Sequence, residues 1–451
     1  MILPLLLMFG LARADALRPE DVWLSVEATH PLLDAQRARV SGAEFERIAA
    51  AGALDPVVGA DAFAAGGAYA WSAQSAGVKV PLTVWGGDAK LEWRRGVGDF
   101  AAYDEGLETA EPGEVVVGFD LPLLRDAWTD RKRTTLRRAA RDVDIASAEL
   151  DLRRLELQRA ASHRYWDWVG AGARVAVATE LLRLAEARDR AFGTQVELGE
   201  VAPLVREDSR RLVLERSERV IQAQRSFEQA QIELSMFLRD GEGRPARPPL
   251  ERVPATITPP SPPVDLTAAA DRAAELRPEL SRFDAWIAQA DVELRLAANQ
   301  LLPAVDLYGE GALGLGDGDD QWKVGATVDG SALLRAARGR RGATRALRDR
   351  LVAERAFAVD RVRADVVDAA SALEAALARV ATIEALVETA RVVAEGERAR
   401  LVIGDSNLIF VNQREIAEAD ARALRIDAAV AAWKAEADWW WAQGGRETPS
   451  R

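Results

Sequence analysis

The most regular pattern along the chain is a heptad repeat of apolar residues between positions 359 and 401. The residues that recur every seven positions are Val359, Val366, Leu373, Val380, Val387, Ala394 and Leu401. This 3.5-residue period predicts a left-handed coiled coil, and the many alanines between these positions permit close approach of the helices. The partner helix is predicted from about 406 to 441, where an apolar stripe continues.

Two segments are long enough to determine the architecture. Neither 127–197 nor 335–402 contains a proline, so each is predicted to be one helix. At ~1.5 Å per residue, a helix over either segment reaches on the order of 100 Å. Helices of this length are rare in single globular domains. The pattern therefore favours a rod, an adaptor or a long tunnel assembled from several chains.

The hydrophobic period changes to two in the segments that precede these helices. Apolar and polar residues alternate in 305–313 and 322–329, and an apolar row runs through 115–121. The apolar members are Val115, Val117, Phe119, Leu121, Val305, Leu307, Leu313, Trp322, Val324, Ala326 and Val328. Such segments are typical of transmembrane barrel strands, which have one face toward lipid and one toward water. A half-buried soluble sheet has the same pattern, so both interpretations stay open.

A further hairpin is predicted between positions 78 and 93. Gly86 and Gly87 separate two alternating runs, which is a strong signal for a two-residue turn. We expect residue 84 to pair with residue 89, and residue 82 with residue 91. This register brings the apolar residues of the hairpin onto one face.

The sequence is duplicated. Pro31 and Pro56 have the same spacing as Pro278 and Pro303, and both pairs are offset by 247 residues. Similar strand, long-helix and turn segments follow each pair. Between the two copies lies a proline-rich linker that neither a helix nor a sheet would tolerate.

These boundaries predict five segments. Residues 1–16, an apolar run that ends in Ala12-Arg13-Ala14, resemble a secretory signal peptide. The remaining segments are a first repeat over 17–240 (strands about 55–122, helical hairpin about 127–238), the linker 241–265, a second repeat over 266–443 (strands about 304–329, hairpin about 335–441) and a flexible tail 444–451.

Composition narrows the range of functions. The chain has no cysteine, and its only histidines are His30 and His163, so we predict no disulfide framework, metal site or cofactor. Because no nucleophile elbow or phosphate loop occurs, we predict that the protein is not an enzyme. The net charge of −12 argues against nucleic acid as a partner.

Tryptophan is abundant, with 13 residues. Trp71, Trp85, Trp93 and Trp322 lie in or beside the predicted strands, where the aromatic girdles of a membrane barrel would lie. Residues 439–441 are three consecutive tryptophans at the end of the last helix. Three neighbours on a helix cannot all face one core, which weakens a packing role for this group.

Several of these segments together resemble the outer membrane efflux protein family, the TolC-like channels. The matching segments are His30-Pro-Leu-Leu, Arg277-Pro-Glu-Leu, Gly118-Phe-Asp-Leu-Pro-Leu-Leu, Leu198-Gly-Glu-Val-Ala and Ile403-Gly-Asp-Ser, within about 18–443. The resemblance implies a mixed α/β membrane protein. Its duplicated long α-helical hairpins would form a coiled-coil tunnel, and its short antiparallel strands would contribute to a trimeric transmembrane β-barrel. The simplest form of this architecture has two strands per repeat, to which the additional hairpin would add two.

The resemblance also implies a location and a set of partners. The protein would be a homotrimer in the outer membrane with a periplasmic extension, in contact with outer-membrane lipid. It would act as a passive duct of a tripartite efflux or type I secretion system, together with a periplasmic adaptor and an inner-membrane pump of the RND or ABC type. The alternative is a periplasmic coiled-coil adaptor or a structural rod with soluble β-domains.

By this resemblance, the two helix–helix turns form a periplasmic tip on which the adaptor docks. The tip residues are Leu198, Gly199, Glu200, Val201, Ala202, Ile403, Gly404, Asp405, Ser406 and Asn407. Without the resemblance, glycine at each turn indicates only a helix C-terminus.

A second set of residues is implied just after the second turn. Well-known family members narrow the pore there with acidic rings, whereas this chain has Phe410 and Gln413. We therefore expect a pore constriction at Phe410 and Gln413, with packing of Phe410 inside its own hairpin as the alternative. Basic residues at 125–138 and 335–345 are expected either to meet lipid phosphates or to be solvated helix starts.

Overall fold

The computed structural model of the protein describes residues 15–100, 108–263 and 265–445. The predicted signal peptide lies outside the described residues except for positions 15 and 16, and so does the tail beyond 445. The chain folds into two compact units. The helical unit consists of Met1–Arg37, Leu150–Leu280 and Ala358–Arg451, and the sheet unit consists of Ala38–Glu149 and Ser281–Phe357.

One order of elements occurs twice along the chain. The first copy has helices α1 (Pro19–Thr29) and α2 (Pro31–Ala51), strands β1 (Val57–Ala65), β2 (Trp71–Pro81), β3 (Asp88–Gly98) and β4 (Glu114–Pro122), and helices α3 (Arg131–Glu197) and α4 (Pro203–Leu234). The second copy has α5 (Leu266–Leu276), α6 (Pro278–Asn299), β5 (Ala304–Gly314), β6 (Gln321–Asp329), α7 (Arg335–Val402) and α8 (Leu408–Ala442). The second copy has no counterpart of β2 and β3 among the described residues.

Proline determines where each copy changes from one helix to the next. Pro31 and Pro278 are the first residues of α2 and α6. The residues before them, His30 and Arg277, adopt extended ψ angles of 121° and 119° because a following proline ring disfavours the helical conformation. The duplicated prolines therefore produce the same helix break in both copies.

The six strands form one antiparallel sheet in chain order, β1 to β6. Cross-strand partners lie on the same face, so the register separates the residues into two sets. Val78, Leu91, Val117, Gly311 and Trp322 are successive partners on an apolar face, and Lys79, Lys90, Gly118, Glu310 and Lys323 are successive partners on a polar face. The alternation predicted from the sequence is thus present across both copies.

The predicted register of the additional hairpin is wrong. Val80 pairs with Ala89 and Val78 with Leu91, so the connection is the six-residue loop 82–87 rather than a two-residue turn. The Trp85 indole donates to the carbonyl oxygen of Pro122 (2.7 Å), and the backbone N–H of Gly86 donates to that of Ala127 (2.8 Å). These long-range bonds hold the two glycines against the β4–α3 connection. The apolar residues still share one face, because the shift is an even number of residues.

The core of the helical unit contains most of the heptad residues. Val366, Leu373, Val380 and Ala394 are buried, as the coiled-coil pattern predicts. Among the helices in the part of the chain that is described, none is both long enough and apolar enough to cross a membrane.

The three consecutive tryptophans also belong to this unit, contrary to the expectation that they would not all pack. Trp439 is buried, and Trp440 and Trp441 pack against the same apolar cluster. The Trp441 ring lies 4.4 Å from the guanidinium of Arg159 and 4.1 Å from that of Arg277. All three can pack because α8 is contacted on more than one side.

Candidate functional site

Each long helix ends in the same glycine turn. The N–H of Glu200 donates to the carbonyl of Gln195 (2.8 Å), and that of Asp405 donates to the carbonyl of Arg400 (2.9 Å). Between these partners, Gly199 and Gly404 have φ of 75° and 79°, in the left-handed region that favours glycine. Both turns are therefore Schellman motifs, and both lie in the helical unit.

The residues that follow these glycines differ between the two turns. Ala202 is the N-cap of α4 and provides no side-chain hydrogen bond, and Pro203 is the first residue of that helix. At the second turn, the Asn407 side chain accepts from the N–H groups of Ile409 and Phe410 at 3.0 and 3.1 Å. The spacing from glycine to N-cap is three residues in both turns.

The predicted tip residues form two exposed turns. Leu198 and Ile403 occupy equivalent positions, immediately before each glycine, and are 68% and 77% exposed. Phe410 is 49% exposed, and Gln413 is exposed as well. The neighbours of Phe410 that turn into the core of the unit are instead Val411 and Asn412. Phe410 is therefore free for contacts outside its own hairpin.

A buried layer of charges, which the sequence pattern did not indicate, lies behind the tip. Arg188 of α3 donates to both carboxylate oxygens of Glu415 of α8 (3.0 and 2.6 Å), and Arg398 of α7 donates to Glu415 (3.0 Å) and Glu418 (2.9 Å). Arg422 also pairs with Glu418. Glu415 and Glu418 are both buried. This charge layer joins the first helical hairpin, α3–α4, to the second, α7–α8.

The arginines favour the ionised form of Glu415. Burial alone raises the pKa of Glu415, but the hydrogen bonds and charges of Arg188 and Arg398 outweigh it and lower that pKa below its ordinary value. Arg216 of α4 is also buried in the helical unit, and desolvation lowers its pKa. In the sequence, these carboxylates look like an ordinary solvated helix face, so only the packing of three helices identifies them.

The apolar face of the sheet is largely uncovered within one chain. Trp322 is 82% exposed and Val328 is 72% exposed on β6, and Val58, Leu91 and Leu313 are also exposed. Burying such side chains contributes about 1.5–3 kcal/mol each. A contiguous apolar surface across six strands therefore needs an apolar environment.

The polar face carries a network of ion pairs. Glu310 lies 2.9 Å from Lys90, 2.9 Å from Arg94 and 3.4 Å from Lys323. Arg94 also pairs with Glu114. This face is thus organised by charges, and it contrasts with the apolar face behind it.

Aromatic residues lie at both ends of the strands. At the end where the strands connect to the helices, the rings of Trp85 and Trp128 lie 5.0 Å apart. At the other end, Trp71 stacks on Phe100 at 5.0 Å, and Trp322 lies near the start of β6. The strands of 9–11 residues between them span about 30–35 Å.

The basic residues at the start of α3 are not all free. Arg133 is buried, donates to the carbonyl of Ala127 (3.1 Å) and pairs with Asp130 (2.7 Å), so it stabilises the β4–α3 connection and does not meet lipid. At the start of α7, by contrast, Arg335, Arg338 and Arg341 are exposed. Within the described ranges, no group of His, Cys, Asp or Glu could hold a metal ion.

No protein-family model and no curated protein matches the sequence. Solved structures, however, match it over nearly the whole chain. The VceC outer membrane protein of Vibrio cholerae is 15% identical with a TM-score of 0.64, covering 95% of this chain and 96% of its own. The MtrE outer membrane channel of Neisseria gonorrhoeae is 15% identical with a TM-score of 0.68, covering 95% and 88%.

The CmeC outer membrane channel of Campylobacter jejuni is 12% identical with a TM-score of 0.65, covering 94% of this chain and 85% of its own. The chain has the TolC-like outer-membrane channel fold. The resemblance predicted from the sequence is therefore confirmed at the level of the fold, including the helical hairpins and the antiparallel sheet. The proteins that share this channel fold are channels and not enzymes.

Proposed function

We propose that the protein is the outer-membrane channel of an export system and works as a passive homotrimeric duct. The strands would form the wall of a transmembrane barrel, and the two helical hairpins would extend into the periplasm as a tunnel. Cargo would enter from a periplasmic adaptor and an inner-membrane pump, which supplies the energy. In this proposal, the chain needs no catalytic residue or cofactor of its own.

The observation that carries the proposal is the difference between the two faces of the sheet. Lipid would cover the apolar face, and the ion-paired polar face would line a water-filled lumen. Trp322, which is on the apolar face near one end of the strands, and the Trp85–Trp128 pair at the other end match the aromatic girdles that flank the apolar band of membrane barrels. A periplasmic adaptor with a soluble β-domain would instead bury the apolar face within its own fold, which the exposure of Trp322 and Val328 disfavours.

Single arginines on opposite faces of β6 test this orientation. Val324 is on the apolar face, one position before the middle of the strand, and Thr327 is on the polar face, two positions after it. Arginine on a lipid-facing position at mid-depth costs about 2–4 kcal/mol. We expect Val324→Arg to prevent recovery of a heat-modifiable trimer from outer membranes, whereas Thr327→Arg is recovered normally. Release of the wild-type chain by osmotic shock would contradict the proposal.

The tip turns are the proposed adaptor-docking surface. Leu198 and Ile403 present matched aliphatic side chains beside Glu200, Val201 and Asp405. A lysine at Val201 places a charge in that surface without altering either glycine turn. We expect Val201→Lys to abolish export while trimers still form. The control is Gln224→Lys, an exposed position within α4 away from the turn. Normal export by Val201→Lys would remove this turn from the docking surface.

Phe410 and Gln413 are the proposed constriction. The exposure of Phe410 supports a role outside its own hairpin. If three copies of Phe410 close the pore by apolar contact, a carboxylate there replaces contact with repulsion and hydration. We expect Phe410→Asp to raise single-channel conductance in planar bilayers severalfold, with Phe410→Leu close to the wild type. Unchanged conductance in Phe410→Asp would place the constriction elsewhere.

A further inference from the structure

The β2–β3 hairpin is an integral part of the sheet. The ladder between β1 and β2 extends from the partners Val57 and Lys79 to the partners Ala65 and Trp71. The ladder between β2 and β3 extends from Trp71 and Gly98 to Pro81 and Asp88. β3 in turn pairs with β4. The hairpin therefore separates β1 from β4 by two full strands.

Side chains fasten this hairpin to the second copy. Lys90 of β3 crosses over β4 to reach Glu310 of β5. Glycine at position 118 leaves room for this crossing, because a Cβ there would lie 2.7 Å from Cε of Lys90 and would force the lysine side chain to shift. Arg94 of β3, four residues further along the same face, also reaches Glu310. The hairpin thus continues both faces of the sheet that β4 and β5 form.

The two edge strands are matched to each other. β1 and β6 each have nine residues, and among the residues that the structure describes each has a strand partner on one side only. Because every neighbouring pair is antiparallel and the sheet has six strands, β1 and β6 run in opposite directions. They can therefore pair with each other as an antiparallel ladder between copies.

We propose that three copies close β6 of one chain on β1 of the next, which makes an eighteen-stranded barrel from three six-stranded sheets. This inference rests on the proposed function. Two strands per repeat would give twelve strands. Each edge strand of one sheet thus pairs with the opposite edge strand of another copy of this chain.

The stagger of the sheet fits such closure. Successive partners lead from Val57 on β1 to Lys323 on β6, and β6 continues for six more residues to Asp329. If the edge strands pair over their full length, Lys323 meets Phe63 of the next copy, which is six residues along β1 from Val57. The stagger is then six residues over six strands, so each strand is displaced by one residue relative to its neighbour. A displacement of ~3.3 Å per ~4.8 Å of strand spacing is a tilt of about 35°, at the lower end of the usual 35–45°.

The strand number determines the width of the exit. Eighteen strands at this tilt and spacing give a barrel of about 34 Å between opposite backbones, and twelve give about 22 Å. Barrels of 16–18 strands leave an aqueous channel. The proposal therefore assigns this duct a wide exit, in which the wall itself does not sieve small cargo.

Engineered cysteines test the strand number, because the chain has none of its own. Ala60 and Ala76 are cross-strand partners, whereas Ala60 and Val115 are separated by two strands through Ala76 and Trp93. Three strand spacings are about 14 Å, and a disulfide needs Cα atoms within about 7 Å. In oxidised outer membranes, we expect the Ala60→Cys/Ala76→Cys pair to crosslink at least tenfold more than Ala60→Cys/Val115→Cys.

A third variant tests closure between copies. Full-length edge pairing predicts that Phe63→Cys/Lys323→Cys links neighbouring chains into covalent dimers and trimers. If the Ala60–Val115 pair crosslinks in an outer-membrane trimer, or if the edge pair gives no links between chains, the eighteen-stranded wall is wrong and the proposed function stands. A wild-type chain released as a monomer by osmotic shock overturns the proposed function, and this inference with it.

Discussion

The two helical hairpins end in the same backbone turn but are stabilised in different ways. The first turn, at Gly199, is followed by Pro203, whose fixed φ favours a helix start without any side-chain bond. The second turn, at Gly404, is held by side chains. Asn407 caps α8, Arg400 pairs with Asp405 at 3.0 Å, and the Ser406 hydroxyl donates to Glu397.

This difference shows that duplication has kept the backbone geometry and not the chemistry. The first turn is stabilised because Pro203 reduces the conformational entropy of the unfolded chain. This effect is insensitive to pH and to salt. The second turn and the charge layer behind it depend on ionised groups, and the carboxylates of that layer all come from α8. We therefore expect mutation and acid to loosen the second hairpin selectively.

The largest effect should come from removal of a carboxylate in the charge layer. Glu415→Ala removes a buried carboxylate that bonds two arginines, so that Arg188 keeps only Asn412 and Arg398 keeps only Glu418 as a partner, which costs about 3 kcal/mol. Hydrogen-exchange protection over 408–422 should fall accordingly, with little change over 203–217. The control is Asp420→Asn, an exposed position on the same helix, where the loss is about 0.5 kcal/mol or less. Equal loosening of both hairpins would refute the asymmetry.

Acid should reproduce part of this effect. The pKa of Glu415 is lower in the folded chain than its ordinary value of 4.5. Above pH 4.5, the ionised carboxylate therefore contributes its full share to the stability of the folded state. The contribution is lost as the pH falls through the folded value. We expect exchange protection of 408–422, corrected for the intrinsic rate, to decrease below about pH 4.5 while 203–217 changes less. The response should be absent in Glu415→Gln; a response that persists there must have another source.

The smallest effect concerns the caps. Asn407→Ala removes the acceptor for two N–H groups at the start of α8, at a cost of about 1 kcal/mol. Ala202→Asn supplies the missing acceptor at the equivalent position of α4. Amide exchange over the first turn of each helix should therefore quicken in Asn407→Ala and slow in Ala202→Asn. If Ala202→Asn does not slow exchange although Asn407→Ala quickens it, the two N-cap positions are not equivalent.

The long helices could be predicted from the sequence because their signals are local and repeated. The proline-free segments 127–197 and 335–402 correspond closely to α3 and α7. The glycine turns could be predicted because a left-handed residue has few alternatives to Gly199 and Gly404. The two faces of the sheet follow from alternation, which survives even an error in register.

Features that depend on distant contacts could not be predicted. The loop at Gly86 is positioned by Pro122 and Ala127, more than 30 residues away in the chain. Strand β1 lacks a clear alternation, because Gly59, Ala60 and Ala62 are small. The charge layer needs three helices to meet, so the sequence alone gives no sign of which glutamates are buried. The roles of the tip residues and of Phe410 stay predictions.

The two edge strands of the sheet, whose outer backbone groups have no strand partners, have a consequence for assembly. β1 and β6 each leave one row of backbone donors and acceptors without strand partners, and pairing two copies still leaves two such rows. In the proposed trimer, only the arrival of the third copy removes the last of them. Formation should therefore be strongly concentration-dependent, with short-lived dimers. Before the third copy arrives, the same unpaired rows are open to pairing with unrelated strands.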